Sequence, residues 1–328
     1  MSTTLMDTDP PVPPSDNPLQ GAPEEPPPLP SLAPPPKSRE PQNPLIAVFV
    51  GPDGMYAVAR WLLYLLLGGV MLVILSGLAH VIRPRQTPGW WGLVSQIVVT
   101  LSAILPAFVM AAIEGRPFAE FGLPRRDAFR RNFWMGTLWG IAWLTVLMLG
   151  LRLAGAFSFG SLALHGMNIP KYGLYYGVYF LLTGFFEEFM ARGYSQWVLT
   201  KAINFWPAAV LLSIGFGALH GGNPGETKVG MVAAGLIGFF FCLTLRRTGD
   251  LWWAIGFHMS WDWGESYLYS VPDSGGMMRG HLLYSSFRGP DWLTGGTVGP
   301  EGSLLVFAVI AAMWALFDRM YPEVKYRD

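Results

Sequence analysis

From Tyr56 to Tyr321 the chain passes eight times through apolar stretches near the length, about twenty residues, that crosses roughly 30 Å of hydrocarbon. No other feature constrains its fold as strongly. The runs are 56–82, 90–113, 133–154, 172–198, 205–219, 229–245, 251–269 and 304–321. A backbone that crosses lipid must satisfy its own hydrogen bonds, which leaves the helix as the natural solution for single runs of this length. The expected fold class is therefore all-α: a polytopic membrane helical bundle of about eight transmembrane helices. The composition agrees, with 52% hydrophobic and only 13% charged residues. Formal net charge is zero and the basic residues are scattered, so the chain shows no nucleic-acid-binding patch. The single cysteine, Cys242 in FFFCLTL, excludes an internal disulfide and any C-x-x-C redox or metal motif.

Residues 1–55 have a different character. They hold more than half of the 28 prolines, in stretches such as PPVPPSD and LAPPPK, and cannot bury a core. This segment is expected to be a disordered, proline-rich tether, ahead of a membrane domain over 56–328. Met1 to Asp9 carries two acids and no base, so a cleaved signal peptide is not expected. With the N-terminus inside, the Arg116 to Arg131 cluster, Lys201, Arg246, Arg247 and Arg319 share one side, which places both termini in the cytoplasm. High arginine and low lysine usage points to a bacterial cytoplasmic membrane. The segment RPFAEFGLPRRDAFRRN is either an amphipathic element on the membrane surface or a solvated basic loop. The Gly-rich segment after Tyr269 either covers a site or simply connects two helices.

Three runs carry ionisable residues where lipid should be. Each charge at the centre of a membrane helix costs about 3 kcal/mol, so such residues face the bundle interior and mark function. In the run 172–198 the stretch FFEEFMAR contains Glu187, Glu188 and Arg192. Glu188 and Arg192 are four apart and share a helix face, which pairs them and leaves Glu187, rotated by about 100°, available. In the next run IGFGALHGG places Phe216 four residues before His220. In the seventh, WAIGFHMSWDWGESY puts His258, Asp262 and Glu265 on one stripe.

Together E-E-x-x-x-R, F-x-x-x-H and H-x-x-x-D, in this order, resemble the CPBP family, the CAAX proteases and bacteriocin-processing enzymes also called Abi. The resemblance covers about 172–270 and implies an intramembrane endopeptidase in a helical bundle. It implies that Glu187 and His220 activate water, that His258 and Asp262 stabilise the oxyanion, and that Glu188 and Arg192 orient the site. The family has Asn or Asp at the position of Asp262. Here an ionised aspartate would repel an oxyanion, so it must be protonated or must orient His258.

No cofactor is expected. The alternative is a zinc-dependent protease using Glu187, His220 and His258 as ligands, although no H-E-x-x-H pair is present. A non-catalytic immunity or scaffold protein is the remaining reading. The expected partners are the lipid bilayer and a peptide or lipid-anchored protein within it, without nucleic acid. Convergence of three helices is required: a separation of the motifs beyond about 10 Å would remove the hydrogen-bonded chemistry.

Overall fold

The computed structural model describes residues 50–51 and 54–326. The proline-rich tail expected over 1–55 lies outside the described residues, apart from β1 (Val50–Gly51) and β2 (Gly54–Met55), which pair as a small hairpin. From there the chain is almost wholly helical: α1 (Ala57–Ile82), α2 (Trp91–Glu114), α3 (Arg131–Leu153), α4 (Asn168–Arg192), α5 (Tyr194–Ile203), α6 (Phe205–His220), α7 (Lys228–Thr248) and α8 (Trp252–Trp263). A short α9 (Asp291–Thr294) and the terminal α10 (Leu305–Met320) follow. Among the described residues, α1, α2, α3 and α7 are long and apolar enough to cross a membrane by length and composition. The protein is an all-α membrane helical bundle.

Each of the eight apolar runs appears as helix, with two departures. The run 172–198 divides at Gly193, whose ψ of −115° ends α4 and starts α5. A Cβ at Gly193 would collide with the Phe189 carbonyl, so only glycine permits the corner. The run 251–269 is α-helical only to Trp263 and continues as a π-helical turn over Gly264–Tyr269. Asn204, with φ of +66°, makes the reversal into α6.

Helix contacts follow the small residues. α3 and α8 approach most closely: a Cβ at Gly136 or Gly256 would strike the backbone carbonyl of Trp253 or Phe133, and one at Gly140 would strike Ser260. Glycines of this kind let membrane helices gain close van der Waals contact without a hydrophobic driving force. α4 packs on both α2 and α8, and α6 packs on α7, where Gly217 meets Met231 and Gly235. At the α5 end, Glu114 ties three helices together, accepting from Arg60 at 2.5 Å and from the Tyr194 hydroxyl at 2.7 Å. Cys242 is fully buried, with its sulfur 3.9 Å from Ser213 and Gln196.

The segment between α2 and α3 packs its apolar residues into the bundle. Phe121 and Leu123 are buried, while Arg125 and Arg126 remain exposed. The segment after Tyr269 is a structured cover: β4 (Ser286–Phe287) pairs antiparallel with β3 (Phe157–Ser158), and a bridge joins Leu162 to Leu283. In the turn before α8, Asp250 accepts from Trp252 N–H at 3.0 Å and from the Asn132 amide at 2.8 Å. Burial pushes its carboxyl up to about 6.

Two outcomes are expected. Gly256→Leu overfills the α3–α8 contact and lowers the melting temperature in detergent, at a cost of about 1–3 kcal/mol or more. Gly69→Leu, with no atom within 4 Å of its Cβ position, leaves the melting temperature unchanged. Asp250 is harder to ionise folded than unfolded, so its contribution to stability is full below about pH 4 and is lost as pH rises through about 6. Comparison of wild type with Asp250→Asn by thermal melts at pH 4.5 and 7 checks the sign: the variant loses less stability on going to neutral pH.

Candidate active site

The last turns of α4 carry Glu187, Glu188 and Arg192. The side chains of Glu188 and Arg192 have no exposed surface, and Arg192 Nη1 lies 3.2 and 3.3 Å from the two carboxylate oxygens of Glu188. A buried guanidinium also needs room and a compatible surface. Gly238 of α7 provides the room, since a Cβ there would collide with Arg192 Nη2. The Phe216 ring provides the surface, 4.2 Å from the guanidinium carbon. Planar, weakly hydrated guanidinium stacks on aromatic faces where an ammonium would not.

Glu188 has a second partner on α8. His258 Nδ1 stands 2.9 Å from Glu188 Oε1. The carboxylate can only accept, so Nδ1 carries the proton. That leaves Nε2 facing two further carboxylates, Glu187 Oε2 at 3.7 Å and Asp262 Oδ2 at 3.5 Å. Gly184 makes this approach of α4 and α8 possible, because its Cβ position is already 3.1 Å from that of His258. Glu187 stays the most open member, with 24% of its side chain exposed.

His220 closes α6. Its Nδ1 is 2.9 Å from the Phe216 carbonyl, which fixes the proton on Nδ1 and leaves Nε2, in the neutral ring, as an acceptor. No direct contact joins it to Glu187 or His258 among the described interactions. Instead Glu187, His220, His258 and Asp262 line one cavity of about 560 Å³. α4, α6, α7, α8 and α10 contribute to its walls together with the 270–304 segment, and Phe180, Phe186, Ala234 and Ile237 make much of them apolar.

This is the segment that comparison with known families identifies. Residues 170–264 match the family model described as type II CAAX prenyl endopeptidase Rce1-like. The match includes all seven residues of the three sequence motifs, and no curated protein gives a match to the chain. The chain is thus a membrane peptidase.

Three acidic residues at the cavity went unnoticed in the sequence: Glu226, Asp273 and Glu301. They sit in connecting segments, where no helical period sets an acid apart, and only their nearness in the fold distinguishes them. Burial raises the carboxyl of Glu226 against the opposing hydrogen bond from Thr227 N–H. Glu265, expected on the stripe of His258 and Asp262, does not line the cavity and is fully buried beside the π turn. Glu187, His220 and His258, the ligands of the zinc alternative, do not form a group of converging donors. Among the described residues the group whose ligand atoms lie within 4.8 Å of one another is Glu265, Asp273 and Glu301.

Removing one partner of a buried ion pair leaves the other uncompensated, at a cost of about 3–5 kcal/mol. Arg192→Met is therefore expected to lower the melting temperature of the purified protein sharply. Glu188→Gln added to it costs much less than the sum of the single changes, because both act on one clamp. A thermal double-mutant cycle that adds independently would overturn the coupling.

Proposed function

We infer that the chain is an intramembrane endopeptidase that hydrolyses a peptide bond of a membrane-associated protein or peptide, with water activated by Glu187. The observation that carries this reading is the partly open carboxylate of Glu187, 3.7 Å from His258 Nε2 in an otherwise largely apolar cavity. Glu187 takes a proton from water, and His220, holding its own proton on Nδ1, offers Nε2 as a second acceptor in the same cavity. Attack on the scissile carbonyl produces an oxyanion. His258, oriented through Nδ1 by Glu188, stabilises it by donating from Nε2 when the ring is doubly protonated. Asp262, at 3.5 Å from Nε2, orients that ring and in its neutral form donates to the oxyanion itself. Arg192 holds Glu188, so the pair acts on the reaction through His258. The Glu then returns its proton to the leaving amine.

The substrate is read from the cavity and from the matched family's name. A cavity walled by phenylalanine and aliphatic residues suits an apolar peptide or a lipid-anchored protein, and the matched description names prenyl CAAX substrates. The arginine distribution supports cytoplasmic termini in a bacterial cytoplasmic membrane.

The test is cleavage of a membrane-presented peptide library by the purified protein. Glu187→Gln is expected to reduce kcat by about 10²–10⁴-fold, the usual contribution of a general base, with its melting temperature retained. Treatment with 1,10-phenanthroline is expected to leave the wild type active. Cleavage by Glu187→Gln at the wild-type rate would remove the glutamate from catalysis. Loss with phenanthroline and recovery with zinc would replace this mechanism by the metalloprotease.

A further inference from the structure

One turn beyond Asp262 the chain buries a carboxylate that nothing in the proposed mechanism uses. Glu265 has no exposed surface, and neither of its oxygens has a hydrogen-bond partner. The π-helical turn over Gly264–Tyr269 contains it, and the Val271 N–H closes that turn on the Glu265 carbonyl at 2.9 Å. Ser270, with φ of +57°, then reverses the chain and brings Asp273 back alongside. Glu301 arrives from the other end of the cover, in the short 3₁₀ turn Pro300–Gly302 that precedes α10. One carboxylate oxygen from each of the three lies within 4.8 Å of the others.

The remaining partners are all neutral. Glu301 accepts from the Trp261 indole at 3.1 Å and from the Ser274 hydroxyl at 2.8 Å. Asp273 accepts from the Ser266 hydroxyl at 3.2 Å. Among the described ion pairs no lysine or arginine reaches any of the three. A buried carboxylate without a counter-charge or a hydrogen bond is strongly unfavourable, and Glu265 has neither.

We propose that Glu265, Asp273 and Glu301 form a binding site for a hard divalent cation of the calcium class, which fastens the 270–304 cover to the end of α8. Oxygens bonded to one Ca²⁺ at about 2.4 Å lie no more than about 4.8 Å apart, the spacing found here. The donors are carboxylates, with no histidine or cysteine among them, which selects calcium or magnesium over zinc. Calcium's flexible coordination of six to eight oxygens accepts three carboxylates completed by water from the adjoining cavity, where magnesium demands near-ideal octahedral geometry. The site is separate from Glu187 and His220, so it stands whether or not the catalytic reading does.

The test uses terbium as a luminescent calcium substitute with the full chain in detergent. Trp261, bonded to Glu301, is the antenna beside the site. Sensitised emission is expected to saturate, to be displaced by excess Ca²⁺, and to fall several-fold in Trp261→Phe and in Asp273→Asn. A parallel melt covers variants that fold poorly. Calcium is expected to raise the wild-type melting temperature over that in EGTA, and Glu265→Gln to abolish the rise while melting no lower than wild type in EGTA. Emission that survives Asp273→Asn, or a wild-type melt indifferent to calcium, would overturn the site and leave three carboxylates that share protons.

Discussion

Glu188 carries a buried negative charge that two different helices neutralise, and the placing of the cavity depends on it. Arg192 approaches from one turn along its own helix, and His258 approaches from α8. Each contact demands something of a neighbour. Arg192 needs the absent side chain of Gly238 and the ring of Phe216, which fixes α6 and α7 against the end of α4. His258 needs the absent side chain of Gly184, which fixes the separation of α4 and α8. One carboxylate thus aligns the four helices α4, α6, α7 and α8. Glu187, next in sequence and directed otherwise, stays open to the cavity because its neighbour has absorbed the available cations.

Much of this arrangement was legible in the sequence. Apolar runs of spanning length announced the bundle, and the four-residue spacing announced the Glu188–Arg192 pair, because both follow from helical period alone. The second partner of Glu188 was not legible, since no local pattern says which face of α8 meets α4. Gly193 was read as part of a continuous run, for a glycine that ends a helix looks like one that merely lines it. The π turn likewise removed Glu265 from the stripe that a regular helix would have given it. Asp273 and Glu301 were beyond reach for a simpler reason: they lie 28 residues apart in a glycine-rich segment and meet only through the fold.

The α3–α8 contact shows what supports the site from behind. Phe133, Gly136 and Gly140 of α3 take the backbone of α8 at its first two turns, so the helix bearing His258 and Asp262 is seated against main chain. Main-chain contact has no rotamers to yield. A site needing sub-ångström placement of an imidazole gains more from that rigidity than from a larger but softer apolar interface.

The cover has a consequence for how the protein comes into being. Every motif residue precedes residue 264, whereas the cover occupies 270–304 and is anchored backwards, through β4, to a strand made long before it. During synthesis, therefore, the helices bearing the three motifs leave the ribosome before the lid segment and α10 do. The last segments to emerge, the cover and α10, are the ones that complete the lining of the cavity, through Met278, Val298, Val306 and Ile310.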